Sequence, residues 1–152
     1  MLFGKVVMGK LLYIWDIEEI IKNTLLEHRL NLNYELNNQL PAPMSFNVST
    51  STIKFNYLQI NGYVANINFK IKESDEDCVK LILYHQLGYY LDFKKNKHDL
   101  RTLMYGGDEE KEQLRAVIER NSWVYGRTLV PERLLKSYDK VHTIDKMLIK
   151  NY

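Results

Sequence analysis

The chain has 152 residues, 45% of them hydrophobic and 26% charged, which suits one domain with its own core and leaves too little for a second full one. Its net charge of +2, from 21 Lys and Arg against 19 Asp and Glu, gives no concentrated basic field of the kind that carries nucleic-acid binding by charge alone. A single cysteine, Cys78, excludes an internal disulfide and a cysteine-based structural zinc site, and a reducing, cytoplasmic setting is the expectation.

The N-terminal stretch is apolar, but Asp16, Glu18 and Glu19 arrive too early for a spanning helix, so no membrane association is expected. A single domain over 1–152 is expected, with a core at 12–140 and peripheral segments at 1–10 and 141–152. Asp16 is placed to cap the first helix with Glu19 three residues on. Ile17, Ile20, Ile21, Thr24, Leu25 and His28 then follow at helical spacing. Pro41 and Pro43 end helical structure. Met44, Phe46 and Val48 alternate with polar residues, as do Ile53, Phe55 and Tyr57, and each run predicts a strand. Asn61-Gly62 predicts a turn, and the alternation of Tyr63, Ala65, Ile67, Phe69 and Ile71 predicts a third strand in a mostly antiparallel sheet with one covered face.

Ser74, with Asp77 three residues on, caps a central helix whose acidic first turn suits the helix dipole. Phe93 to His98 reads as a basic, flexible exit. Gly106-Gly107-Asp108 reads as a turn, 109–126 as a third helix, Pro131 as the start of a short fourth, and 143–151 as a last small one. Helix, small sheet, then helices is an α+β order.

The central helix carries the chemistry. At about 100° per residue, Cys78, Ile82, His85, Tyr89 and Asp92 share a broad face. A zincin helix reads H-E-x-x-H, because two histidines four apart can hold one zinc and the glutamate polarises its water. Here the letters are His85, Gln86 and Tyr89. A phenol with a reference pKa of about 10 is a poor zinc ligand at neutral pH, and an amide cannot take a proton from water. The plainer reading is a packed core histidine, with Gly88 allowing another element close.

His85-Gln86-Leu87-Gly88-Tyr89-Tyr90-Leu91 resembles the HELGH helix of the ImmA/IrrE family of zinc-dependent peptidases. In that family a sheet precedes the helix, and a later helix supplies an acidic ligand before a segment similar to Leu129-Val130-Pro131-Glu132-Arg133-Leu134-Leu135. The resemblance covers residues 12 to 140 and implies a zincin-like fold. A SprT-type zincin is the second resemblance, with His98-Asp99 in its third-ligand region. By position the ImmA/IrrE acidic ligand falls at Arg120, with Glu119 adjacent. Taking Leu114, Val117, Ile118, Val124 and Tyr125 as the apolar face, Glu119 points away from it. Asn121 lies on it, as a buried amide that could bond His85 or Gln86.

The degenerate-site positions are therefore His85, Gln86, Tyr89, Glu119, Arg120 and Asn121, with no catalytic residue, metal ligand or cofactor assigned. The resemblance implies a catalytically inactive zincin-like protein of a phage or mobile element. It would bind a protein partner, such as a helix-turn-helix repressor, without cleaving it. Two alternatives stand beside it. One is an active metallopeptidase using His85 with two of His98, Asp92, Glu119 and Asp108. The other is a nucleic-acid-binding protein using Lys94, Lys95, Lys97 and Arg101 beside Tyr89, Tyr90 and Phe93. Tyr89 is expected inside the fold, and rebuilding the motif with Gln86→Glu and Tyr89→His is expected to fail for want of the acidic ligand.

Overall fold

The computed structural model describes residues 11–150, with side chains through residue 146. Residues 1–10, a peripheral segment by sequence, and 151–152 lie outside the described residues. Helix α1 (Ile14–Glu27) buries Ile17, Ile20, Ile21, Thr24 and Leu25, the stripe expected from spacing. Its cap differs. Tyr13 is the N-cap residue, and Asp16 lies inside the first turn, accepting the Tyr13 N–H at 2.9 Å. Just past the helix end, Arg29 has a left-handed φ of 55° and turns the chain towards the sheet.

Three short strands form one mixed sheet in the order β1-β3-β2: β1 (Asn33–Leu36), β2 (Met44–Asn47) and β3 (Thr52–Phe55). β2 runs antiparallel to β3, with Met44 opposite Phe55. β1, which the alternation reading passed over, runs parallel to β3, with Asn33 opposite Thr52. The sheet is therefore half parallel, not mostly antiparallel. Ile53 and Phe55 are fully buried, so the central strand supplies the apolar floor.

The predicted third strand is a helix, α2 (Tyr57–Ile67). Ile60, Val64, Ile67 and Ile71 are buried and Phe69 is 90% exposed, which is a spacing of three and four, not two. Asn56 caps it by accepting from the Leu58 and Gln59 N–H groups, a signal that the alternation masked. Asn61 is no turn residue. From within the helix its amide donates to Leu12 O and its oxygen accepts from Leu12 N, each at 2.9 Å.

Helix α3 (Asp75–Lys95) runs through the middle of the domain. Ser74 Oγ accepts the Asp77 N–H at 3.1 Å, as the capping pattern predicts. Leu81, Leu83 and Leu87 are almost wholly buried; each such side chain contributes roughly 1.5–3 kcal/mol against exposure. The expected loose exit at 93–98 is still helical through Lys95. A short α4 (Arg101–Tyr105) leads into α5 (Asp108–Arg127). Pro131 precedes a 3-10 turn at Glu132–Leu134, which continues as α6 (Leu135–Lys150). One long helix thus replaces the two short ones expected. Val141, in the segment read as peripheral, is buried.

α3 and α5 meet through glycine. A Cβ on Gly88 would fall 1.7 Å from the Ser122 carbonyl oxygen, and one on Gly126 would fall 2.3 Å from the Tyr84 carbonyl oxygen. The two backbones touch, and this fixes which α5 residues face α3.

Candidate functional site

The close approach of α3 and α5 turns Glu119 inward, against the sequence reading. The buried residues of α5 are Ile118, Ser122, Trp123 and Gly126, while Val124 is 56% exposed. A projection by hydropathy misplaces this face because its centre is built from Ser and Gly, which carry no apolar signal. Arg120, in the expected ligand slot, is exposed. Asn121 does face α3, but its amide bonds Asp92 at 2.9 Å, not His85 or Gln86.

Glu119 meets three side chains, Tyr89 and His85 from the central helix and Trp123 from its own. The Tyr89 hydroxyl donates to Glu119 Oε1. Trp123 Nε1 donates to Glu119 Oε2 at 3.1 Å. His85 Nε2 lies 3.3 Å from that same Oε2, an ion-pair distance without hydrogen-bond alignment, since this buried nitrogen has no directed partner among the described residues. Burial pushes the Glu119 carboxyl up, but the His85 imidazole and the Tyr89 and Trp123 donors outweigh it and hold it down at about 2. Burial, together with the Glu119 charge, pushes the Tyr89 phenol well above its ordinary value.

Aromatic rings close the cluster. The His85 ring stacks on Trp123 at 3.9 Å between centres and tilts over Tyr89 at 5.0 Å. From α6, His142 stacks on Trp123 at 4.4 Å. The Tyr138 hydroxyl donates to the Trp123 carbonyl at 2.8 Å. Asp145, also from α6, is half-buried, and burial raises its pKa. Sequence reading missed Trp123 and this α6 group. The signal was present: Trp123 follows Glu119 by four, and Tyr138, Val141, His142 and Asp145 recur at three and four, one helix face.

The zinc that the resemblance implies finds no matching donor set. A catalytic zinc takes three protein donors, and among the described residues no group of three His, Cys, Asp or Glu side chains is placed to hold a metal ion. His85 offers one nitrogen. Both Glu119 oxygens are engaged, and Tyr89 sits where a second imidazole would be, with its proton held more firmly than usual. Asp92, His98 and Asp108 do not make up the difference. Asp92 is fully buried and bonded to His98 Nε2 at 2.8 Å, and Asp108 is exposed at the start of α5. The base of the resembled motif is replaced as well: Gln86 carries no titratable proton, and a carboxylate held at about 2 is a weak base near neutral pH.

The suggested basic patch is only partly assembled. Lys94 lies 5.4 Å over the Tyr90 ring and Lys95 lies 5.6 Å over Tyr125. Lys97 is exposed, and Arg101 is held bidentately by Asp99.

No family model matches this chain, nor does any curated protein or solved structure. No described helix is long and apolar enough to cross a membrane.

Proposed function

We propose that this chain is a protein-binding member of the zincin-like kind, in which the peptidase centre has become a hydrogen-bonded aromatic plug. One observation carries the reading. His85, Tyr89 and Glu119, the residues at or beside the ligand positions of the resembled motif, converge from two helices, and both Glu119 oxygens are already engaged by protein donors. Tyr89 and Trp123 donate to Glu119, and the imidazole is stacked. A carboxylate that accepts two hydrogen bonds beside an imidazole is stable without an ion.

The partner would lie along β2, which among the described residues is an edge strand paired only with β3 and whose Phe46 packs edge-on against Tyr90 of α3. An extended segment can add to such an edge through main-chain hydrogen bonds. A helix-turn-helix repressor of a mobile element is the partner that the resemblance suggests.

The experiment pairs metal content with binding. The chain should hold less than about a tenth of an equivalent of zinc after dialysis, because catalytic zinc needs three donors. It should retain a helix-turn-helix repressor intact, as read by mass spectrometry. The inward position of Glu119 reverses one expectation from the sequence. Gln86→Glu combined with Tyr89→His should now gain close to stoichiometric zinc, since the acidic donor is already in place. Zinc-dependent cleavage by the unmodified chain, lost in His85→Ala, would overturn the proposal. Failure of the double variant to take up zinc would remove the zincin-like basis.

A further inference from the structure

Trp123 is flanked by two imidazoles. The rings of His85 and His142 lie nearly parallel to the indole, at 14° and 10°, with centres 3.9 and 4.4 Å from it. Two flat rings so close to one centre would overlap on a single face, so the indole is enclosed between them. His85 belongs to α3, Trp123 to α5 and His142 to α6, and the stack runs through three helices.

Around this stack α6 is attached by a narrow stripe: Tyr138, Val141, His142 and Asp145. Tyr138 is anchored by its hydrogen bond to the Trp123 carbonyl and packs edge-on against the indole at 5.3 Å. Arg127 and Asp139 add a bidentate pair at 2.8 and 2.9 Å. Both fastenings lie at or before residue 139. Beyond it Val141 is buried and Ile144 packs against the core, and His142 provides the stacked contact with the site.

We propose that His142 is a proton-operated fastener, holding the distal part of α6 over the Trp123–Glu119 cluster while its imidazole is neutral and releasing it when the imidazole is charged. The groups facing His142 are His85 from α3, Glu119 from α5, and Asp139 and Lys146 from its own helix. Burial lowers the His142 pKa, and Lys146 and His85 lower it further, against Glu119 and Asp139. The docked helix therefore binds fewer protons than the released one below the ordinary value of 6.5, so docking weakens as pH falls through that value. Stacking of a charged ring on the indole works the other way, but burial prevails in the net direction. Asp145 opposes the switch at lower pH. Its raised pKa means that proton uptake favours the docked form, in a window opening upward from 3.8.

The switch is independent of what the chain binds and can be followed on the full chain alone. Trp15→Phe leaves Trp123 as the single indole, since the sequence has two tryptophans and Trp15 is exposed. Acrylamide quenching of Trp123 is then followed from about pH 7.5 to about pH 5, across the range where an imidazole charges. The quenching constant should rise roughly two-fold as the released population grows, with far-UV circular dichroism retained. In His142→Phe, which keeps a stacked ring and cannot charge, the constant should stay flat. His142→Gln should also stay flat, and it serves if the Phe variant does not fold. Flat quenching in the parent overturns the proposal. So does a pH response that survives in the folded His142 variant or disappears only in His85→Gln.

Discussion

Two acid–imidazole pairs lie along the seam between α3 and α5, and they are built differently. Asp92 is fully buried and accepts from three side chains: His98 Nε2 at 2.8 Å, Asn96 Nδ2 at 2.8 Å and Asn121 Nδ2 at 2.9 Å. Glu119 is 32% exposed at its side chain. It accepts from a phenol and an indole, with His85 near but misaligned. Amides and directed bonds surround the first acid, as a structural clasp requires. Aromatic rings surround the second, and one of its imidazole nitrogens has no directed partner. The seam thus has a fully satisfied end and an incompletely satisfied one, and the incomplete end is where the motif resemblance falls.

The difference can be broken from its shared foundation first. Gly88→Ala drives a Cβ to 1.7 Å from the Ser122 carbonyl oxygen, where backbone must move. The loss should be about 4 kcal/mol or more, in the range where single substitutions become exceptional, and urea unfolding should show both pairs lost together. Asp92→Ala comes next. It removes the shared acceptor of His98, Asn96 and Asn121 and should cost about 3–5 kcal/mol, as for a buried pair broken from one side. Glu119→Ala, at the more exposed end, should cost less, about 1–3 kcal/mol, mostly through the unpaired Tyr89 and Trp123 donors. Equal losses for the two acids would erase the distinction between the ends of the seam. Tyr89→Phe should cost about 1–2 kcal/mol by removing one hydrogen bond to a charged acceptor.

The smallest effect concerns pH. The Glu119 carboxyl is held at about 2 against an ordinary 4.5. A depressed carboxyl adds stability above its unfolded value and loses it as pH falls towards the folded one. The stability gap between the parent and Glu119→Gln should therefore narrow as pH drops from 4.5 towards 2. Urea midpoints of both proteins at several pH values across that window measure it; a gap that widens on acidification would show that His85, Tyr89 and Trp123 do not hold the charge.

What the sequence makes legible follows the kind of signal each element carries. The α1 stripe and the Ser74 cap are local patterns, and both occur as read, as do β2 and β3 near their expected limits. α2 fails because Tyr63 to Ile71 fits a period of two while Ile60, Val64 and Ile67 fit 3.6. Helix packing decides between the two periods. β1 is four residues long with no clear alternation, and its strand character comes from its partner β3. At the site, His85 and Tyr89 are placed correctly by helical spacing within one element. Glu119 is misplaced because its direction depends on a crossing set by Gly88, Ser122 and Gly126, which hydropathy does not register. His142 and Asp145 lie on a regular face, but nothing local says which surface that face meets.

The glycine crossing also bears on how the chain is made. The face of α3 around Tyr84 and Gly88 is covered by Ser122 and Gly126, which leave the ribosome well after it. At roughly 5–20 residues per second, that face waits seconds for its cover. The three strands and α1, close in sequence, need no such delay. A nascent chain stalled before α5 should thus carry an ordered sheet beside an unsheathed helix and recruit chaperones there. Ribosome-bound chains arrested before and after residue 126 should differ sharply in chaperone crosslinking at α3. Equal crosslinking would mean that α5 is not what shields it.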